Sequence, residues 1–238
     1  MATPLFESCV SDIGQAYQNL GYVLGWRFLN VSRHVFDAPA RLALLTLNPA
    51  GNSIPPDHPW QSCENGSSYL VEKWDNAPEG KATLQVQVQL MFKAIANELA
   101  YPGTPEQLIE SSLISQFVPF RSPRFSALAK PDQALQFAHA LWSRILPVVQ
   151  PRLIVCLGRE VQRELRSLIP RALNAEHLGA SSHPTGWGTY SADIDTYERK
   201  GSRLRLLYLP HLSTWTLFKS QKCKSFMPLI IHEAAKDA

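Results

Sequence analysis

Four short stretches carry side chains able to do chemistry, and each follows an apolar run. LALLTL (42–47) leads into Asn48-Pro49-Ala50-Gly51, and SLISQ (112–116) ends in Gln116, followed by Phe-Val-Pro-Phe-Arg-Ser to Ser122. RLIVCLG (152–158) ends in Gly158-Arg159, and RLRLLYLP (203–210) is followed by His211-Leu212-Ser213. An amide offers a donor and an acceptor but cannot take a proton as a carboxylate does, while imidazole changes charge near neutrality. Two amides, a glycine and a histidine suit a site that works mainly by positioning. Asn48 has a plainer reading beside this one: it closes the Asn-Pro-Ala-Gly turn by bonding its own backbone. Gln116 has one too, as a buried amide bonded to backbone, and His211 as a satisfied histidine at a strand end.

The elements that must hold these residues can be read from apolar patterning. The four apolar runs predict strands, and helical patterns stand between them at 83–100, 131–149 and 159–169. The 83–100 pattern is weakened by the alternating VQVQL section. Pro131 opens the 131–149 helix, and Asp132 sits in its first turn. Continuous apolar strands alternating with helices predict a parallel sheet covered on both faces, with ligands outside the C-terminal strand ends. The expected class is therefore α/β, a three-layer α/β/α sandwich on a four-stranded parallel sheet. All four chemistry-bearing stretches then fall on one rim.

The rest is connection. Residues 4–20 have helical spacing, and the aromatic and β-branched segment 22–36 predicts extended chain, in the form of a hairpin. Segment 52–80 is long for a connection and is expected to be functional or to hold short local structure, and 174–202 is expected to be another long loop, centred on SSHPTGWGTY. Ser213 or Thr214 would cap a final helix running to about Ala235. The division expected is a single domain over 1–238, with 1–40 as an N-terminal helix and hairpin extension and 41–238 as the core.

At 238 residues, 45% hydrophobic and 18% charged, the chain can bury a sizeable core. No apolar run approaches ~18 residues, and MATPLFESCVSD lacks the regions of a secretory signal, so a cytoplasmic protein is expected. Cys9, Cys63, Cys156 and Cys223 form no CxxC pair, which argues for reduced thiols and against a zinc or iron–sulfur site. Net charge is only +3, but Arg199–His232 holds seven Lys or Arg and no Asp or Glu. Lys219, Lys222 and Lys224 lie close to Trp215 and Phe218. Bases interleaved with aromatics suit a nucleic-acid groove, and a solvated charged surface is the alternative.

Taken in order, these motifs resemble the uracil-DNA glycosylase superfamily over roughly residues 40–220. Thr46-Leu47-Asn48-Pro49-Ala50-Gly51 is similar to that family's first motif, Gly-x-Asn-Pro-Gly, and His211-Leu212-Ser213 to its last, His-Pro-Ser. Gln116, in Gln-Phe-Val-Pro-Phe-Arg, stands where the family has a strand-ending Asn, and Ile154–Gly158 resembles its third strand.

The resemblance implies a monofunctional glycosylase that hydrolyses the bond between a flipped base and deoxyribose, leaving an abasic site. It needs no cofactor or metal, has DNA as its partner, and calls for no membrane and no obligate protein partner. Asn48 would place the water, His211 would donate to the base O2, and Gln116 would read the polar edge of the base. Trp60 would stack on the base, with Tyr69 as a rival, and Trp60 as a loop anchor remains an alternative. Ser213 and Thr214, at the start of the final helix, would hold a phosphate, with a simple N-cap as the other reading for Ser213. Trp215 or Phe218 would wedge the stack, and Lys219, Lys222, Lys224, Arg121 and Arg124 would meet phosphates. No Lys lies near Asn48 or His211 in sequence, so no lyase step is expected.

Three departures separate the chain from ordinary uracil repair: Gln116 for Asn, Leu212 for Pro, and the aromatic-bearing 52–80 segment. The chain also looks like bacterial anti-phage glycosylases that excise bulky modified cytosines such as glucosylated hydroxymethylcytosine. Uracil or mismatch repair, a non-catalytic DNA-binding module and a nucleoside hydrolase are the competing expectations.

Overall fold

The computed structural model describes residues 4–74 and 76–236. Its class is α/β, with a mixed six-stranded sheet. The strands are β1 (Leu42–Thr46), β2 (Leu113–Gln116), β3 (Leu153–Leu157), β4 (Glu176–Pro184), β5 (Ser191–Arg199) and β6 (Ser202–Leu209). Their order is β2-β1-β3-β6-β5-β4. The four strands expected from the sequence pair in parallel, with Thr46 beside Gln116, Leu45 beside Cys156 and Leu157 beside Leu209.

The expected four-stranded parallel sheet is thus corrected to six mixed strands. The 174–202 segment is an antiparallel hairpin, β4–β5, laid along β6 rather than a loop. It lacks an apolar signature for a physical reason. Most of β4 is exposed, and β5 buries two carboxylates, Asp193 and Asp195, held by Arg159 and Arg166 from the adjacent helix.

The helices are α1 (Pro4–Leu20), α2 (Ser68–Val71), α3 (Thr83–Glu98), α4 (Pro105–Glu110), α5 (Pro131–Val149), α6 (Arg159–Leu173) and α7 (Met227–Ala235). Helix α5 touches α1 and α6, while α3 touches α2, α4 and α7. Every residue of β1, β2 and β3 is buried, as a sheet covered on both faces requires. Helix α6 shows how the sequence builds a cover. It buries Val161, Leu165, Leu168 and Ile169, one face at helical spacing.

The alternation in VQVQL has a structural cause. Gln85 and Gln87 are buried with the apolar face of α3, and both bond to neighbouring chain, although Gln87 Nε2 finds no partner. Gln85 Nε2 donates to the Ser68 and Glu72 carbonyls, and Gln87 Oε1 accepts from the Phe218 N–H at 2.9 Å.

Two further expectations are corrected. Segment 22–36 is not a hairpin. It runs beside β2 and beyond, with isolated bridges Leu29–Ser115 and Trp26–Phe120, and ends in a 3-10 turn at Arg33–Phe36. Its N–H groups find acceptors elsewhere in the chain, Asn30 donating to Ile114 and Phe28 to Trp60. The final helix begins at Met227, not at Ser213 or Thr214. Residues 211–220 instead form turns in which Thr214 and Trp215 both donate to the His211 carbonyl at 3.0 Å.

All four cysteines are free and buried. Among the described residues no helix is long and apolar enough to cross a membrane.

Candidate functional site

The rim at the C-terminal ends of the parallel strands is built by hydrogen bonds between consecutive loops. Beyond β1 and β2 the two chains stay zipped: Phe117 donates to the Thr46 carbonyl, Val118 to Leu47 and Ser122 to Pro49. Gly51, at φ +126°, turns the first loop in a conformation that L side chains resist. The Arg121 guanidinium bonds the Ala50 carbonyl there.

Asn48 is held by this zipper. Its Nδ2 donates to Ser122 Oγ at 2.9 Å and to the Pro49 carbonyl at 3.1 Å, with a longer contact of 3.4 Å to the Phe120 carbonyl. The turn-closing reading of Asn48 therefore holds for its nitrogen. The three acceptors fix which end of the amide faces the loop. Its Oδ1 meets no donor among the described residues and is left to accept from outside the protein.

Gln116 ends β2 level with Thr46 and is 7% exposed. Its Oε1 is buried with no hydrogen-bond partner, and its Nε2 bonds no described residue. A buried amide bonded to backbone is thus not what Gln116 is. An orphaned buried acceptor costs about 1–3 kcal/mol, and Gln116 Oε1 shares that state with Asn30 Nδ2 and Gln87 Nε2 but differs from them in lying at a strand end on the rim.

His211 stands two residues beyond the end of β6. Its Nδ1 lies 2.7 Å from Ser213 Oγ and accepts from the Ser213 backbone N–H at 3.4 Å. A backbone N–H can only donate, so Nδ1 carries the lone pair and Nε2 the proton. Burial lowers the pKa of His211, which favours this neutral form. Between β1 and β6 stands β3, whose end is Gly158. A Cβ there would meet only Glu160 Oε2, at 3.7 Å. Asn48 and His211 thus stand on strands two spacings apart, roughly 10 Å, flanking a stretch of rim without a side chain. The arrangement can orient a water or hydroxyl at Asn48 Oδ1, donate one hydrogen bond from His211, and pair a polar edge at Gln116.

Other expected residues fall elsewhere. Arg121 is buried and clamps Ala50 and His58, so it is not free for a phosphate. His58 Nδ1 faces that guanidinium and its Nε2 bonds the Trp26 carbonyl, while burial pushes its pKa down. Trp60 is edge-on to Tyr17, Trp26 and His58, which supports its loop-anchor reading. Tyr69, 2% exposed, packs in the core against Trp74 at 5.1 Å. Ser213 and Thr214 sit at no helix start, and their N–H groups are spent on His211, which removes the phosphate cradle expected there. Ser213 instead orients the imidazole.

Trp215 is not a free wedge, since Tyr190 and Trp187 pack against it. Phe218, Lys219 and Lys224 line a cavity of about 610 Å³ between α3 and the 217–231 segment. Lys219, Lys222 and Lys224 are exposed. Arg124 is exposed, at the start of a 3-10 turn, and its carbonyl accepts from Ser122 Oγ at 2.9 Å.

Sequence reasoning missed Ser122 and Tyr190. Ser122 lay within the motif after Gln116, but nothing in a linear sequence tells which hydroxyl meets Asn48. Among the described residues no group of three or more His, Cys, Asp or Glu is placed to hold a metal ion. Comparison with models of known protein families gives no match, and comparison with curated proteins gives none either.

Proposed function

We propose that the chain is a monofunctional DNA glycosylase on an α/β/α scaffold of the uracil-DNA glycosylase type. It hydrolyses the N-glycosidic bond of a flipped, non-standard pyrimidine, such as a glucosylated hydroxymethylcytosine of phage DNA. The observation that carries this reading is the pair of unspent amide groups on one rim: Asn48 Oδ1, and the whole side-chain amide of Gln116.

Such hydrolysis passes through an oxocarbenium-like state, and the departing base gathers negative charge. Asn48 Oδ1 orients the attacking water without taking its proton; the water oxygen bonds the sugar carbon as the bond to the base breaks, and the proton leaves to the departing base anion. His211, neutral and carrying its proton on Nε2, donates to the base oxygen O2 and stabilises the anion. Gln116 reads the base edge, and rotating its amide exchanges donor for acceptor, which suits cytosine as well as uracil. The exposed Lys219, Lys222 and Lys224 supply attraction for phosphates.

The test is to incubate the purified protein with unmodified, uracil-containing and glucosylated hydroxymethylcytosine DNA and to analyse released bases by mass spectrometry. A modified cytosine freed from the last substrate, with alkali-labile sites in the strand, is expected. Efficient removal of uracil with glucosylated DNA left intact would assign the chain to uracil repair. No released base from any DNA, together with DNA binding, would make it a binding module.

A further inference from the structure

The β4–β5 hairpin contributes something that the proposed chemistry does not use. Its tip, Thr185-Gly186-Trp187-Gly188-Thr189-Tyr190, is tightly closed. The Thr185 N–H donates to the Tyr190 carbonyl at 3.1 Å, Thr185 Oγ1 donates to the same carbonyl at 2.7 Å, and Tyr190 donates to Trp187 at 3.1 Å. Gly186, at φ +79°, presses on the chain beyond His211: a Cβ at that position would collide with the Lys222 carbonyl and the Phe226 ring. The tip is therefore fixed to the 211–226 segment by contacts that do not involve its aromatic rings.

Those rings form a second set of contacts. Tyr190 lies 4.1 Å, centroid to centroid, from Trp215, and Trp187 stands edge-on to Trp215 at 5.9 Å. The Trp215 N–H bonds the His211 carbonyl at 3.0 Å, so the cluster begins one turn from His211. The strand register agrees. The start of β5 pairs with the end of β6, Asp193 beside Tyr208, which carries the tip beyond the same end of the sheet as His211. Tyr190 is 41% exposed, and Trp187 and Trp215 are half-buried. Lys219 and Lys222 are exposed on the same segment, and the Lys222 carbonyl faces Gly186.

We infer that Tyr190, with Trp215 and Trp187 behind it, is a stacking platform for an unpaired nucleobase of the DNA strand next to the excised one. An aromatic surface left in water beside exposed lysines is what a strand of unstacked bases recognises, since every base offers a π-face. The platform is preorganised, because Gly186 and Thr185 hold it without a ligand, so little ordering is lost on binding. It takes over the part that Trp215 alone could not fill. It also favours single-stranded or locally opened DNA, where a neighbouring base is free to stack. This inference rests on the glycosylase reading, in that the partner is DNA and the stacked base is the neighbour of the excised one.

The test measures binding of a fluorescein-labelled 15-nucleotide single strand and of its duplex to the full chain, with intrinsic tryptophan emission tracked in parallel. The wild type is expected to bind the single strand more tightly, with its tryptophan emission quenched. Tyr190→Leu keeps an apolar side chain against Trp215 but removes the ring, and is expected to weaken single-strand binding roughly tenfold or more. Tyr190→Phe should bind within about twofold of wild type, and both variants should leave the salt slope unchanged. Thermal melting of each variant shows whether the fold is intact. Wild-type binding that survives Tyr190→Leu unaltered would overturn the platform and leave the glycosylase reading standing. Failure of the wild type to bind either DNA would overturn both.

Discussion

Asn48 Nδ2 lies 2.9 Å from Ser122 Oγ, and that hydroxyl in turn donates to the Arg124 carbonyl at 2.9 Å. One serine on the loop after β2 therefore sets the orientation of an amide on the loop after β1. Ser122→Ala removes this acceptor and is expected to lower stability by about 1 kcal/mol, read by urea unfolding. Base release should slow severalfold. Asn48→Ala, which removes Oδ1 itself, should slow it on the order of a hundredfold.

Gln116 offers the opposite trade. Its buried Oε1 has no partner, so the folded protein bears a desolvation cost. Gln116→Leu replaces the amide with an apolar group of similar size. Stability should be unchanged or rise by up to about 2 kcal/mol, while base excision is lost. A drop in melting temperature for this variant would contradict the view that the amide is reserved for a ligand.

His211 predicts a pH limb. Burial lowers its pKa below the ordinary 6.5. The neutral form, with Nδ1 accepting from Ser213, persists above that lowered value and is lost as pH falls through it. A pH–rate profile should therefore fall on its acidic side, with the midpoint of that limb below 6.5. His211→Asn should be much slower and lack that limb.

The Arg27–Glu72 ion pair links the 22–36 segment to α2, with Arg27 7% and Glu72 24% exposed at the side chain. Burial alone would raise the Glu72 pKa, but the Arg27 hydrogen bonds and charge outweigh it and hold the carboxyl below its usual 4.5. A depressed carboxyl stabilises the fold above pH 4.5 and loses that contribution as pH falls further. Glu72→Gln should cost about 2–3 kcal/mol at pH 7. The gap from wild type should narrow below pH 4.5, as chemical denaturation across pH would show.

Lys219, Lys222 and Lys224 give a salt test. If each meets a phosphate, exchanging all three for Gln should reduce the slope of log affinity against log salt by about 2–3. Titrations from 50 to 200 mM salt, roughly the range in which such contacts are most visible, would measure it.

Much of this site was legible in the sequence because strand ends are local. LALLTL, SLISQ, RLIVCLG and RLRLLYL read as buried strands from composition alone, and the residues just past each strand land on the same rim. The hairpin was not legible, since Asp193 and Asp195 are buried only because Arg159 and Arg166 from α6 neutralise them. The same limit applies to Arg121. A guanidinium after a strand suggests a phosphate, and nothing in linear order shows that it closes on Ala50 and His58. Ser213 precedes an apolar stretch as an N-cap would, yet the chain there closes on His211, with Thr214 and Trp215 donating to its carbonyl, and the final helix starts only at Met227.

Asn48 is lashed to the neighbouring loop, whereas the Gln116 side chain is tied to nothing. The two amides therefore differ in how freely a lineage can alter them. A change at 48 disturbs the scaffold that carries it. A change at 116 exchanges one reading head for another and leaves the bond-breaking part where it stands. Under the proposed activity, position 116 is where such a protein could adapt to a changing target without rebuilding itself.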